Sequence, residues 1–271
     1  MTARLVMACL LLGLTAPAAS GEPVAIVNAG FEDLYLGSNL PAQYGGDVPA
    51  GAFPVGPAPS GWTPWHEGGS AGPGEFIGVL NPGTAADHAP NPAYFPAGAP
   101  EGDNAVLLYT DGDVGGLEYG VEQTLATDVA PNTRYTLTVQ VGNIASGTAL
   151  VEPFLSFGYY DLRGFPGYRI QLLAGGQVIA EDTETVAPGE GIFELATAYG
   201  VTGPSPPSGP LVVRVVNRNQ PDVAGVRGIE VDFDDVVLDA TPVAQTPVAP
   251  LAGWGLVFLL LPLGRRLARA S

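Results

Sequence analysis

The sequence predicts an all-β protein: an antiparallel β-sandwich with long Pro/Gly-rich loops, plus an N-terminal signal helix and a C-terminal transmembrane helix. Three observations carry this. Runs rich in β-branched and aromatic residues recur through the second half of the chain, each bounded by Gly, Pro, Asn or Asp. Helical periodicity is absent outside the two termini. With Gly 38 and Pro 27, turn formers make up about a quarter of the 271 residues, while a 46% hydrophobic content argues against general disorder. Strands joined by turns without intervening helices favour an antiparallel sandwich over a parallel sheet.

Taken from the N-terminus, residues 1–20 read as a signal peptide. Arg4 supplies the positive region, Leu5 to Leu14 the apolar stretch, and Ala16-Pro17-Ala18 or Ala18-Ala19-Ser20 the small-residue cleavage site. The single cysteine, Cys9, lies inside that segment, so the mature chain is expected to hold no disulfide. The expected sandwich domain spans 21–240. Within it, residues 36–102 are dominated by Gly, Pro, Ala and Asn and read as long surface loops, interrupted by "EFIGVL" at 75–80.

Seven strands follow: "AVLLY" (105–109), "GVEQTLA" (120–126), "RYTLTVQVGN" (134–143), "YRIQLLAGG" (168–176), "GIFELATAYGV" (191–201), "LVVRVVN" (211–217) and "IEVDFDDVVLDA" (229–240). In the third, Tyr135, Leu137, Val139 and Val141 share one face and Arg134, Thr136, Thr138 and Gln140 the other, a period of two with one face buried. Residues 241–250, "TPVAQTPVAP", form a Pro/Thr/Ala linker. The segment 251–271 reads as a membrane tail: Val248 to Gly264 is apolar, and Arg265, Arg266 and Arg269 follow. Positive residues stay on the cytoplasmic side, so the domain is expected outside, anchored in the cell envelope or released to the extracellular matrix. The exported part then carries six arginines against 27 acids, a net −21.

The order of short motif, apolar helix and arginines resembles the C-terminal sorting tags of the PEP-CTERM class. "VAPLAGWGL", with Trp254 and Gly255, is most similar to the IPTL-CTERM variant. The resemblance implies a membrane contact and a transpeptidase-like processing enzyme as partners. Upstream, "VNAGFED", "SGW", "VEQTLA", "PNTRYTLTVQVGN" and "VDFDDVVL" together resemble the galactose-binding-like jelly roll of carbohydrate-binding modules. That resemblance implies a polysaccharide partner.

Several chemistries find no support. His66 and His88 lack any paired metal spacing, Gly-x-Ser-x-Gly is absent, and with no lysine in the chain there is no phosphate-binding Gly-x-x-x-x-Gly-Lys loop. The acidic balance disfavours nucleic acid. A glycan hydrolase needs two carboxylates flanking a cleft, but among 27 acids the mere presence of pairs discriminates nothing. "YTDGDVGGLEYG" (109–120), with Asp111, Asp113 and Glu118, suits either an oxygen-ligand calcium loop or a hairpin turn joining two strands; the hairpin is favoured.

Two candidate sites remain. "SFGYYDLRGFPGYR" (156–169) gathers Tyr159, Tyr160, Arg163, Phe165 and Tyr168 as the best ligand surface, because sugars are gripped by flat rings and planar polar groups. The alternative is that alternating aromatics in a strand belong to the core. In "VDFDDVVLDA" simple alternation puts Asp232 and Asp234 with Val236 and Leu238, and Phe233 with Asp235, so at least one carboxylate lies in line with core residues. A structural Ca2+ would neutralise it. The galactose-binding-like resemblance implies a calcium joining first and last strands, held by Glu32 and Asp234, with Asp235 second; the alternative is that these acids cap turns or face water. The expectation is thus a non-catalytic, carbohydrate-binding-like surface protein, or alternatively a structural or adhesive one.

Overall fold

The computed structural model describes residues 21–34, 47–56, 58–111, 116–220 and 228–243. The expected leader and the expected tail with Trp254, Gly255, Arg265, Arg266 and Arg269 lie outside the described residues, as does most of the expected linker. Among the described residues no helix is long and apolar enough to cross a membrane, so the two helices of the expected architecture gain no support.

The chain builds antiparallel strands almost throughout, as the alternation predicts. One leaf has the order β2 (Thr63–His66), β5 (Tyr119–Asp128), β12 (Pro210–Asn217), β9 (Tyr168–Ala174) and β10 (Gln177–Thr183). The second has the order β11 (Ile192–Val201), β6 (Thr133–Asn143), β13 (Gly228–Pro242), β4 (Ala105–Asp111) and β3 (Glu75–Leu80). β1 (Glu22–Val24) pairs with the C-terminal half of β13, Glu22 opposite Ala240. The leaves are hydrogen-bonded to each other through β10 and β11, at Glu181 and Tyr199.

Between the leaves lies the main core. β6 contributes Tyr135, Leu137, Val139 and Val141, and β12 contributes Leu211, Val213 and Val215. β9 adds Ile170 and Leu172, and Trp62 packs on Phe31 with centroids 5.1 Å apart. Each aliphatic side chain so buried contributes on the order of 1.5–3 kcal/mol.

A bulge in β13 decides the site. Asp234 lies opposite Gln140 but Val237 lies opposite Thr138, so β13 carries an extra residue there, with Asp235 at φ 48°. Val231 and Phe233 face the core before the bulge, and Val236 and Leu238 after it. The alternation read from sequence is therefore corrected. Asp232 and Asp234 do not share a face with Val236 and Leu238; with Glu230 they stand on the outer face of the second leaf. The Val236 N–H, freed from the ladder, donates to Ala29 O of the N-terminal segment.

The 109–120 segment is corrected too. β4 and β5 belong to different leaves and do not pair, so no hairpin joins them. Glu118 pairs with Arg169 at 2.8 Å and Arg218 at 3.3 Å, which commits its carboxylate to cations rather than to a calcium loop.

The Pro/Gly-rich region is more than loop. It supplies β2, β3 and the single turn α1 (Ala85–His88). Its segments 48–56 and 82–98, together with 144–165, which carries the small pair β7 (Gly147–Thr148) and β8 (Tyr159–Tyr160), fold over the outer face of the second leaf. Two further apolar clusters result. One joins Leu80, Tyr94, Phe95, Leu107, Ile144 and Leu162; the other joins Val48, Ala52, Val79, Ala149 and Phe154.

Candidate active site

Under these loops is a cavity of about 280 Å³. Its floor is the outer face of the second leaf: Phe76 and Leu80 from β3, Leu107 and Tyr109 from β4, and Glu230 from β13. Period-two geometry aligns them, since Glu230 lies opposite Tyr109 and Phe76 lies opposite Tyr109 on its other side. Phe53, Tyr94, Phe157, Tyr160 and Leu162 roof it, with Asp111 also in the wall. The rings lock one another edge to face: Phe53 meets Tyr160 at 5.1 Å and 87°, and Tyr94 at 6.3 Å and 85°.

The polar content of this cavity is concentrated at Glu230, which is 3% exposed. Its partner is the Asp232 carboxyl behind it, and the two can hydrogen-bond only if one of them keeps a proton; as two carboxylates, Glu230 Oε1 and both Asp232 oxygens find no donor among the described residues. Burial pushes the Glu230 carboxyl up to about 8. Asp232 is driven well above the usual carboxylate range, by burial first and then by the charge of Glu230. Two adjacent buried carboxyls that both resist ionisation titrate as a pair and hold at least one proton between them near neutral pH. Such a group in a cleft is a proton donor in waiting.

The sequence-predicted ligand surface does not assemble. Tyr168 is fully buried in the main core, its hydroxyl donating to Asp182 Oδ2 at 2.7 Å, and Phe165 packs against that core. Tyr159 is exposed, and exposed Arg163 is spent on Asp161 at 2.7 Å. Tyr160 alone of the five lines the cavity. Glu230 was not among the sequence candidates. Its signal was present in "IEVDFDDV", where carboxylates alternate with core residues.

The candidate calcium residues do meet at one corner. Glu32 Oε1 accepts from the Asp103 and Asn104 N–H groups at 3.0 and 2.8 Å, and Oε2 from Asn104 Nδ2. Asp234 Oδ2 accepts from Glu101 N–H at 2.8 Å, and Oδ1 from Asp235 N–H. A methyl at Gly30 would collide with Glu101 Oε2 and lie 3.6 Å from Asp234 Oδ1, so those two carboxylates converge over the glycine. Burial, then the charges of Glu101 and Asp235, push Asp234 up to about 8 against the pull of two backbone N–H donors. Burial likewise raises Glu32, and Glu101 adds to it. Even so, among the described residues no three acidic, histidine or cysteine side chains close tightly enough to hold a metal by themselves.

Comparison with known proteins decides what such a cavity belongs to. The HpiC1 cyclase family description matches residues 22–239. The chain belongs to the HpiC1-like cyclase family. A Stig cyclase, Fisc from Fischerella sp. TAU, crystallised with (3Z)-3-(1-methyl-2-pyrrolidinylidene)-3H-indole, is 33% identical at a TM-score of 0.63. The match covers 83% of this chain and 100% of that one. A cyclase from the same organism holding 4-(1H-indol-3-yl)butan-2-one is 32% identical at a TM-score of 0.61, with the same coverage. An apo cyclase from Fischerella sp. is 30% identical at 0.61, covering 83% and 99%. Among curated proteins nothing matches.

Membership in a cyclase family overturns the reading as a non-catalytic carbohydrate-binding or adhesive surface protein. With it go the polysaccharide and sorting-enzyme partners and the sorting-tag resemblance. The cause is physical. "VEQTLA", "PNTRYTLTVQVGN" and "VDFDDVVL" are β5, β6 and β13, the walls of the sandwich, and scaffold strands report a fold rather than a function.

Proposed function

We propose that this protein is an acid-initiated cyclase acting on a neutral, indole-like molecule with an unsaturated side chain, and that Glu230 is its proton donor. The observation that carries the reading is a buried carboxyl, paired only with a second carboxyl, inside a cavity walled by aromatic rings. The solved relatives that hold indole compounds supply the substrate class.

The atoms balance as an isomerisation. Glu230 transfers its proton to a π-bonded carbon, leaving a carboxylate and a carbocation. The ring faces of Phe76, Tyr94 and Tyr109 attract that cation, each contact contributing up to about 2 kcal/mol in a desolvated site. A second π bond closes the ring by forming a carbon–carbon bond. Loss of a proton to the Glu230 carboxylate then restores the enzyme. The roof excludes the water that would otherwise trap the cation as an alcohol.

The decisive experiment offers 3-alkenyl indoles and follows formation of cyclic products of unchanged mass. Glu230→Gln should lower kcat by about 10²-fold or more. Wild-type kcat should fall as pH rises through about 8, where the donor loses its proton. Equal turnover by the variant would sink the assignment.

We further infer that a divalent cation of the calcium type is bound at the acidic corner. The convergence of Glu101 and Asp234 over Gly30 supports it, with Glu32 and Asp235 adjacent. Backbone carbonyls would complete an oxygen shell. The ion would tie the N-terminal segment, the 101–104 loop and β13 together as a structural crosslink. Export through the 1–20 leader is part of the same proposal, supported by a family match that begins only at residue 22. A mature N-terminus near residue 21 on the secreted protein tests it.

A further inference from the structure

Among the polar groups that line the cavity, the Tyr94 hydroxyl is left unused by this chemistry. Tyr94 is 1% exposed, and its hydroxyl has no hydrogen-bond partner among the described residues. A buried orphan hydroxyl costs on the order of 1–3 kcal/mol, a penalty that a sequence free to place Phe there would avoid. The ring is held in place around it. His88 stands edge-on at 5.5 Å and 79°, itself fixed by its Nε2 at 2.8 Å from Pro82 O, and Phe53 abuts the other side. Gly147 passes so close to Tyr94 Cε1 that a side chain there would displace the ring. Burial, then the charges of Glu230 and Tyr160, hold the hydroxyl in its protonated form, a donor throughout the working range.

We propose that Tyr94 is a specificity-determining residue whose hydroxyl donates a hydrogen bond to a single acceptor atom on an otherwise apolar ligand. This rests on the indole-type reading of the cavity. It adds that the ligand carries one neutral acceptor, a carbonyl oxygen or an sp² nitrogen, beside the carbon that Glu230 protonates. A site built to pair a polar group discriminates strongly, because a ligand lacking the acceptor leaves the hydroxyl unpaired in the dark. His88 serves as a positioning residue, since it fixes the ring and touches no ligand.

Binding of two probes by calorimetry tests this: 4-(1H-indol-3-yl)butan-2-one, which has the acceptor, and 3-butylindole, which lacks it. Wild-type protein should bind the ketone about tenfold more tightly than 3-butylindole. Tyr94→Phe should erase that preference by weakening the ketone while leaving 3-butylindole unchanged or slightly tighter. His88→Phe should shrink the preference without abolishing it. A preference that survives in Tyr94→Phe overturns the inference and leaves the cyclase reading standing. Loss of the preference in Tyr94→Phe, together with an inert Glu230, keeps Tyr94 and sinks the acid. Wild-type protein that binds neither probe overturns both.

Discussion

The two leaves of the sandwich share a core but differ on their backs. The outer face of the first leaf is a half-buried lattice of ion pairs. Arg214 donates to Glu122 Oε2 at 2.7 Å and covers the Trp65 ring at 4.2 Å, while Arg169 and Arg218 share Glu118. The outer face of the second leaf carries carboxylates too, yet among the described residues no arginine pairs with Glu230 or Asp232. What separates them is the cover and the partners. Arginines neutralise the carboxylates of the first leaf, whereas the loops bury those of the second without such partners among the described residues, so the same residue type is an ion-pair member on one back and a proton store on the other.

The largest expected effect breaks this comparison at its centre. Glu230→Gln should cost about 10²-fold or more in turnover, whereas Glu122→Gln, in the ion-pair lattice, should leave turnover within about twofold. Comparable losses for both would mean that cover does not matter. Next in size is the metal. Saturating calcium should raise Tm by roughly 5–10 °C, since a ligand at about a hundred times its Kd adds about 2.7 kcal/mol. Asp234→Asn or Glu101→Gln should remove that increase; a Tm indifferent to both calcium and chelator ends the metal proposal.

How far these faces can be read from sequence differs in the same way. The alternation of Tyr135, Leu137, Val139 and Val141 marks β6 and its buried side, and "EFIGVL" marks β3, because period two is a local property. The bulge at Asp235 leaves no mark, since a non-glycine residue at positive φ has no sequence signature, and one unseen insertion moves Asp232 and Asp234 to the other face. β2 is hidden by Pro64, and the cavity by distance along the chain: Phe53, Tyr94 and Tyr160 meet only after three separate loops have folded over β4 and β13. The acids of "VDFDDVV" were legible as costly. Whether a metal or a retained proton relieves that cost depends on the cover, which no short motif encodes.

A smaller effect sharpens the contrast through pH. Glu230 is raised in the fold from an ordinary value of 4.5 to about 8, so the folded state holds a proton that the unfolded chain releases. Its contribution to stability is fully present below about 4.5 and is lost as pH rises through about 8. In chelator, Glu230→Gln should therefore flatten part of the fall in Tm between those limits. An unchanged slope would place the carboxyl in contact with water. Smallest is the ion-pair back itself: Arg214→Met should cost about 1–2 kcal/mol in denaturant unfolding, because it leaves the half-buried Glu122 without its cation.

The cavity has a floor of hydrogen-bonded strands and a roof of chain that enters from 48–56, 82–98 and 144–165. Glu230 belongs to the floor and most of the shape-giving rings belong to the roof. The source of the proton and the outline of the guest are therefore inherited separately. Exchanging roof segments between members of the family amounts to refitting a lock around an unchanged bolt, and the product formed can drift by loop replacement while the acid that starts the reaction stays registered to its neighbours in the sheet.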